Sequence, residues 1–455
     1  MEQRHLFGAN FAIIFRFISL LNMQSIPVWL LIPFIIMLLA IAIAPLIAAE
    51  KWEKNSSKLL FVLLVSIPTS IILISTGLGD ELIHQLFYDY VPFIILLCSL
   101  FVVTGGIKLS VDSVATPTVN TTMLFLGYAL ASFVGTTGAA LLLIRPLLEM
   151  NRDREHKMHT FFIFIALVAN CGGILTPLGD PPLFLLYLRG APFSWFMEMY
   201  PQWVAIGAVL LTGYYIYDSW RYHKCETIGI RPHSHYNDEE GFTINVRGAK
   251  NFILLIGIVL SVAFINPATI PAMGEHDAPI YIKFLREIVL LAIIILSLKI
   301  TKPKVREDNH FSWEPIIEVA IIFIGIFVTM TPALLYLNAN AEIFGLTSAR
   351  EFFYATGALS SFLDNAPTAV AFYTVAQGLN DTGSDLVAGV TPLILQSISM
   401  GAVYFGSMTY IGNGPNFMVK AIAEKEGVKM PSFFGYIALA LIFLLPVYAA
   451  VEYFL

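Results

Sequence analysis

The feature that most restricts this chain is a set of apolar stretches, roughly 16 to 24 residues each, recurring along its length. Each is about long enough to cross a hydrocarbon core roughly 30 Å thick. One such stretch fits a buried helix or an anchor, whereas ten fit only a polytopic membrane protein. Every backbone polar group in lipid must be satisfied within its own segment, so long apolar spans of this kind are read as helices. The sequence is 57% hydrophobic and 13% charged, against roughly 25% charged in soluble domains. That balance argues against a soluble enzyme or a nucleic-acid-binding protein and makes membrane lipid the expected surroundings. Cys98, Cys171 and Cys225 form no CxxC pair. Cys98 and Cys171 lie within apolar runs, where a small packing residue is the simpler reading.

Spanning helices are expected near 26–49, 59–77, 91–107, 160–175, 201–219, 251–269, 284–299, 314–330, 388–409 and 433–454. The stretch Leu6–Asn22, interrupted by Arg16, is expected to lie along the interface rather than to act as a cleavable signal. Two further apolar stretches, 120–148 and 350–378, are too long for one crossing. Each carries a polar break, GTTG at Gly135–Gly138 and DNAP at Asp364–Pro367. Both are read as re-entrant hairpins. With the N-terminus outside, this map puts 20 of the 26 lysines and arginines on the inner side, as the positive-inside rule requires. A single crossing at either hairpin would invert every later loop and destroy the bias. The main polar loops are then cytoplasmic. His233 and His235, in the longest of them, are expected to be solvated rather than metal-bound.

The two hairpins also resemble each other. LASFVGTTGAA (Leu130–Ala140) aligns without gaps on LSSFLDNAPTA (Leu359–Ala369), and GILTPLGDPPLF (Gly173–Phe184) aligns on GSMTYIGNGPNF (Gly406–Phe417). The offsets, 229 and 233 residues, nearly agree, so one unit is duplicated. Each half contributes helix, helix, hairpin, broken helix and helix, and the linking helix at 251–269 turns the second half upside down. The expected fold is an all-α polytopic membrane protein of about ten transmembrane helices plus two re-entrant hairpins, in two inverted-topology repeats with broken helices. The division is an N-terminal interfacial segment and extra helix at 1–57 and a first repeat at 58–220. A cytoplasmic loop and linking helix follow at 221–283, then a second repeat at 284–455. Broken helices fall near 176–182 and 409–416. Such repeats serve alternating access, with the site near the membrane midplane.

A broken helix in hydrocarbon leaves amide and carbonyl groups needing partners. The breaks therefore offer carbonyls and hydroxyls to a dehydrated cation and helix N-termini to an anion. Two carboxylates sit there. Asp364, beside Asn365, is the leading candidate for a cation ligand, because a carboxylate stripped of water can exchange a proton for a metal ion. Asp180 could assist, or could only cap the helix that follows GDPP. Glu318 is a further candidate for proton coupling, with a paired or snorkelling surface role as the alternative. Gly77–Asp80 (GLGD), Tyr88-Asp89 and Pro332-Ala333-Leu334 are fragments that an intramembrane aspartyl protease would use. On this map, however, both aspartates fall in a wet outer loop, which leaves that reading remote.

The motifs Ser132–Leu148, Ala169–Phe184, Ser360–Ala371 and Ile411–Lys420 resemble the ion transporter superfamily. Within it they are most similar to sodium/proton antiporters of the NhaD type and to the related arsenite and citrate permeases. The resemblance implies sodium as transported or coupling ion, no other cofactor, a small cation or anion as substrate, a homodimer, and a bacterial plasma (inner) membrane. It implies two sodium sites, one at Ser132, Gly135, Thr136 and Gly179, the other at Ser361, Asp364, Asn365 and Gly412. Thr137, Thr176, Asp180, Thr409 and Asn413 complete the candidate binding set. Dicarboxylate importers of the superfamily carry Ser-Asn-Thr at each tip. Here the tips read Gly135-Thr136-Thr137 and Asp364-Asn365-Ala366, which favours sodium/proton antiport over citrate or dicarboxylate transport.

Overall fold

The computed structural model describes residues 26–52, 54–227, 243–275, 277–379 and 385–453. The stretch Leu6–Asn22 and His233–His235 lie outside the described residues. The described chain is almost entirely helical. Its first half contains α1 (Ile32–Ile47), α2 (Asn55–Ser75), α3 (Val91–Thr104), α4 (Pro117–Val134), α5 (Thr136–Met150), α6 (Met158–Leu167), α7 (Pro181–Leu188) and α8 (Tyr200–Thr227). After it come α9 (Lys250–Phe264), α10 (Leu285–Ile300), α11 (Glu314–Ala339), α12 (Ala349–Ser360), α13 (Asn365–Gly378), α14 (Pro392–Phe405), α15 (Gly414–Lys425) and α16 (Phe433–Phe443). β1 (Lys108–Asp112) and β2 (Thr243–Arg247) pair antiparallel, with Ser110 opposite Asn245, a ribbon that the hydropathy pattern does not reveal.

Among the described residues, six helical stretches are long and apolar enough to cross a membrane: Val28–Pro45, Asn55–Ser75, Gly79–Thr104, Met158–Leu175, Glu314–Ala339 and Phe433–Tyr453. This is an all-α, multi-pass membrane protein. One expectation is corrected. The segment read as a wet outer loop, 78–90, is helix from Gly79 on: Gly79–His84 passes through a wider π turn at Gln85–Tyr90 into α3. Leu82 is buried with Leu73 and Val328, and Leu78 and Leu86 pack against them. That apolar burial supports the helix from Gly79 on, while Gly77, at φ 82°, and Leu78 stay outside it as the turn that GLGD suggests. Asp89 is buried while Asp80 is exposed. Nine residues of helix set them about 13 Å apart, too far to share a proton.

The chain forms two compact units. One comprises 1–92, 314–345 and 374–380. In it α11 packs on α2, and Gly325 permits the approach, since a Cβ there would fall 2.6 Å from Met37 and 3.0 Å from Val62. Lys58 and Glu318 form an ion pair at 2.7 Å, with Lys58 buried and Glu318 partly exposed. The other unit comprises 93–313, 346–373 and 381–455 and contains both tips, at Gly135 and at Ser361–Asp364, and both broken helices. Here Arg306 Nη1 and Asn251 Nδ2 donate to the carbonyls of Val102 and Gly106 at 2.8 and 2.9 Å, capping the end of α3. Arg145 on α5 donates to Asn309 O at 2.8 Å, which fixes the far end of the first hairpin's second arm.

Candidate functional site

At the first hairpin tip α4 ends at Val134 and α5 starts at Thr136, so the break is Gly135 alone, with φ 80° and ψ 149°. Only glycine enters that region without strain. Thr136, with its neighbours, begins a helix rather than completing a four-residue polar loop. Close by, α6 gives way to a tight turn at Cys171–Leu175, then to extended backbone at Thr176 and Asp180, and Pro181 and Pro182 start α7. Prolines suit the first turn of a helix, where the missing N–H would have had no partner.

The second tip and break repeat this backbone. Helix α12 ends at Ser360, and after a turn at Ser361–Asp364 helix α13 starts at Asn365. Thr409 and Asn413 have φ/ψ of −138°/168° and −148°/140°, against −143°/159° at Thr176 and −148°/145° at Asp180. Thr176 Oγ1 donates to Ser132 O, and Thr409 Oγ1 donates to Ser361 O. The Leu178 and Ile411 amides each donate to the preceding threonine hydroxyl at 3.2 Å. A Cβ on Gly179 would lie 1.9 Å from Gly173 O, and one on Gly412 would lie 2.6 Å from Gly406 O. Each break therefore needs its glycine pair for direct backbone contact.

The side chains converge on Asp180, which is 1% exposed. Its Oδ1 accepts from Thr136 Oγ1 at 2.6 Å and from Asn413 Nδ2 at 3.3 Å, and its Oδ2 accepts from Asn365 Nδ2. One carboxylate thus ties both hairpin tips to both breaks. Its side chain does not cap α7, which excludes the capping-only reading. Asp364 behaves the other way. It is half-buried, and its Oδ1 accepts the Ala366 N–H at 3.0 Å, capping α13. Sequence made Asp364 the leading carboxylate; the structure gives the larger set of side-chain hydrogen bonds to Asp180.

Thr136, Asp180, Asn365 and Asn413 are therefore brought together. Gly179 joins through its carbonyl, which accepts the Thr136 N–H at 2.8 Å. Ser132, Thr176, Ser361, Thr409 and Gly412 are buried and form the surrounding backbone-to-hydroxyl framework. Thr137 is exposed, and Glu318 belongs to the other compact unit, paired with Lys58. Two residues that sequence reasoning passed over complete the cluster. Asn170 Nδ2 donates to Asn416 Oδ1 at 2.7 Å, and Asn416 Nδ2 donates to Gly406 O and Thr409 O at 2.7 and 2.9 Å. The signal available in sequence was an amide side chain beside each break in otherwise apolar surroundings.

The cluster offers two kinds of binding. Helices α5, α7, α13 and α15 all begin at it, and a helix N-terminus carries about half a positive charge, so four of them favour an anion. In the other direction, the Asp180 carboxylate attracts a cation. Asn365 must turn its amide nitrogen to that carboxylate, so its Oδ1 points away, and this buried oxygen has no hydrogen-bond partner among the described residues. An orphaned buried acceptor costs about 1–3 kcal/mol and is relieved by a positive ligand. Among the described residues no three His, Cys, Asp or Glu side chains gather as a metal cluster.

Residues 23–455 match a family model, CitMHS_2, described as "Putative citrate transport". No curated protein matches the chain.

Proposed function

The chain belongs to that citrate-transport family, and from this premise we propose that it is a secondary transporter moving a citrate-like carboxylate in exchange with, or together with, sodium or protons. The observation that carries the reading is one buried carboxylate, Asp180, bonded to both hairpin tips and both breaks where four helices begin. The helix ends sum to about two positive charges against one negative, which leaves room for a carboxylate of the substrate. Asp180 holds the coupling cation or proton beside it, with Thr136 and Asn365 supplying oxygens. Because Asp180 belongs to both hairpins' hydrogen-bond networks, loading it ties the two tips together and unloading it frees them to move.

In this reading the molecule has ten crossings and two re-entrant hairpins in two inverted repeats, and it works by alternating access. The matched dihedral angles and threonine bonds of the two breaks support the duplication. The N-terminus lies outside, the main polar loops lie in the cytoplasm, and the protein works as a homodimer in a bacterial inner membrane.

The test uses purified full-length protein in liposomes. Labelled citrate should accumulate under an imposed sodium or pH gradient, and Asp180→Asn should reduce that accumulation at least about a hundredfold, as loss of one essential charged ligand does. Gradient-independent citrate flux, or none at all, overturns the carboxylate reading.

A second reading, sodium/proton antiport, is favoured by one specific observation. The partners of Asp180 in the cluster are neutral side chains, which leaves its carboxylate open to alternate sodium and proton binding. Under that reading sodium or lithium dissipates a pH gradient with no carboxylate present. Arsenite export on the same scaffold would show as arsenite flux in the same liposomes.

A further inference from the structure

Unwound carbonyls in a membrane need partners, and the two breaks satisfy theirs by different means. At the second break the Asn416 amide donates both to Gly406 O and to Thr409 O, at 2.7 and 2.9 Å, while its oxygen is held by Asn170. The Asn413 amide donates to Ala169 O at 3.1 Å and to Asn170 Oδ1 at 3.2 Å, besides Asp180. An amide nitrogen donates and never accepts, so this region already holds N–H groups where a cation would need lone pairs.

The residues that the superfamily resemblance implies for a second sodium site are engaged as well. The Ser361 hydroxyl donates to Gly357 O at 2.9 Å within its own helix, and Ser361 O receives the Thr409 hydroxyl. Asp364 Oδ1 caps α13, and the Asn365 amide is turned toward Asp180. Gly412 sits against the carbonyls of Ser360 and Ser361, with its N–H on Thr409 Oγ1 at 3.0 Å. At the first break the position matching Asn416 is Leu183, and the position matching Asn413 is Asp180. Leucine cannot donate to a carbonyl, and there Thr176 O accepts the Gly179 N–H at 3.0 Å instead, while a carboxylate in place of an amide supplies charge and lone pairs. The Asn365 amide that donates to Asp180 carries the orphaned Oδ1 on the same group.

We infer that the chain binds one coupling cation, at Asp180, and that the Asn416 side-chain amide stands permanently where the second break would otherwise hold its own ion. The inference rests on the cation-coupled reading of the cluster. Its consequence is that the second break carries no charge that changes during the cycle, so ion dependence is first order.

The experiment is equilibrium binding of radioactive sodium to the full chain in lipid nanodiscs. One sodium per chain is expected. Asn365→Ala, which removes the orphaned oxygen, should weaken binding at least about tenfold. Ser361→Ala should change it less than about twofold, since its hydroxyl bonds within its own helix. Two ions per chain overturn the inference, as does a Ser361→Ala loss equal to that of Asn365→Ala. Should Asn365→Ala fail to fold, the ion count on the unaltered chain still decides. Absence of sodium binding, with citrate uptake that follows pH alone, removes sodium coupling and this inference with it while leaving the carboxylate reading standing.

Discussion

The two broken helices have the same backbone and opposite chemistry. Thr176 and Thr409, and Asp180 and Asn413, adopt matching conformations, and Gly179 and Gly412 each lie against the carbonyl of the glycine six residues earlier. Where the first break carries a carboxylate and a leucine, the second carries two amides, Asn413 and Asn416. The difference teaches that one way of opening a helix can carry different chemistry. One break presents a buried carboxylate, and the other presents side-chain N–H groups that neighbouring oxygens already accept.

Substitutions at matched positions break or sharpen this comparison. The largest effect is expected at Asp180→Asn, set beside Asn413→Ala. Gradient-driven uptake in liposomes should fall at least about a hundredfold in the first and about tenfold or less in the second. Equal losses would mean that the breaks share the work. Next is Gly179→Ala against Gly412→Ala. The added methyl meets backbone at 1.9 Å in one and 2.6 Å in the other, and overpacking costs about 1–3 kcal/mol or more. Both should lower the apparent melting temperature in detergent, and Gly179→Ala should lower it further.

Asn416→Leu, which installs the residue found at position 183, leaves two carbonyls without their side-chain donor. It should cost about 1–3 kcal/mol, measured as a drop in melting temperature. The smallest effect is expected at Asp364→Asn, because asparagine caps a helix about as well as aspartate. Uptake should fall less than about threefold. A collapse of transport in this variant, with Asp180→Asn still active, would restore Asp364 to the central role that the sequence first suggests.

Much of this was legible in the sequence because it is local. Apolar runs set the helices, glycine at 135 and prolines at 181 and 182 set where they stop, and the two internal alignments located both hairpins and both breaks. Each depends on a residue and its near neighbours along the chain. The π turn through Gln85–Tyr90 escaped this reasoning because the apolar packing that supports it involves Val328. The identity of the central carboxylate escaped for the same reason. Asp180 and Asp364 each precede a helix, so sequence could make either one a cap. The partners that distinguish Asp180 lie 44, 185 and 233 residues away. A carboxylate's role follows from the donors that reach it, and only the tertiary fold brings those donors within hydrogen-bonding distance.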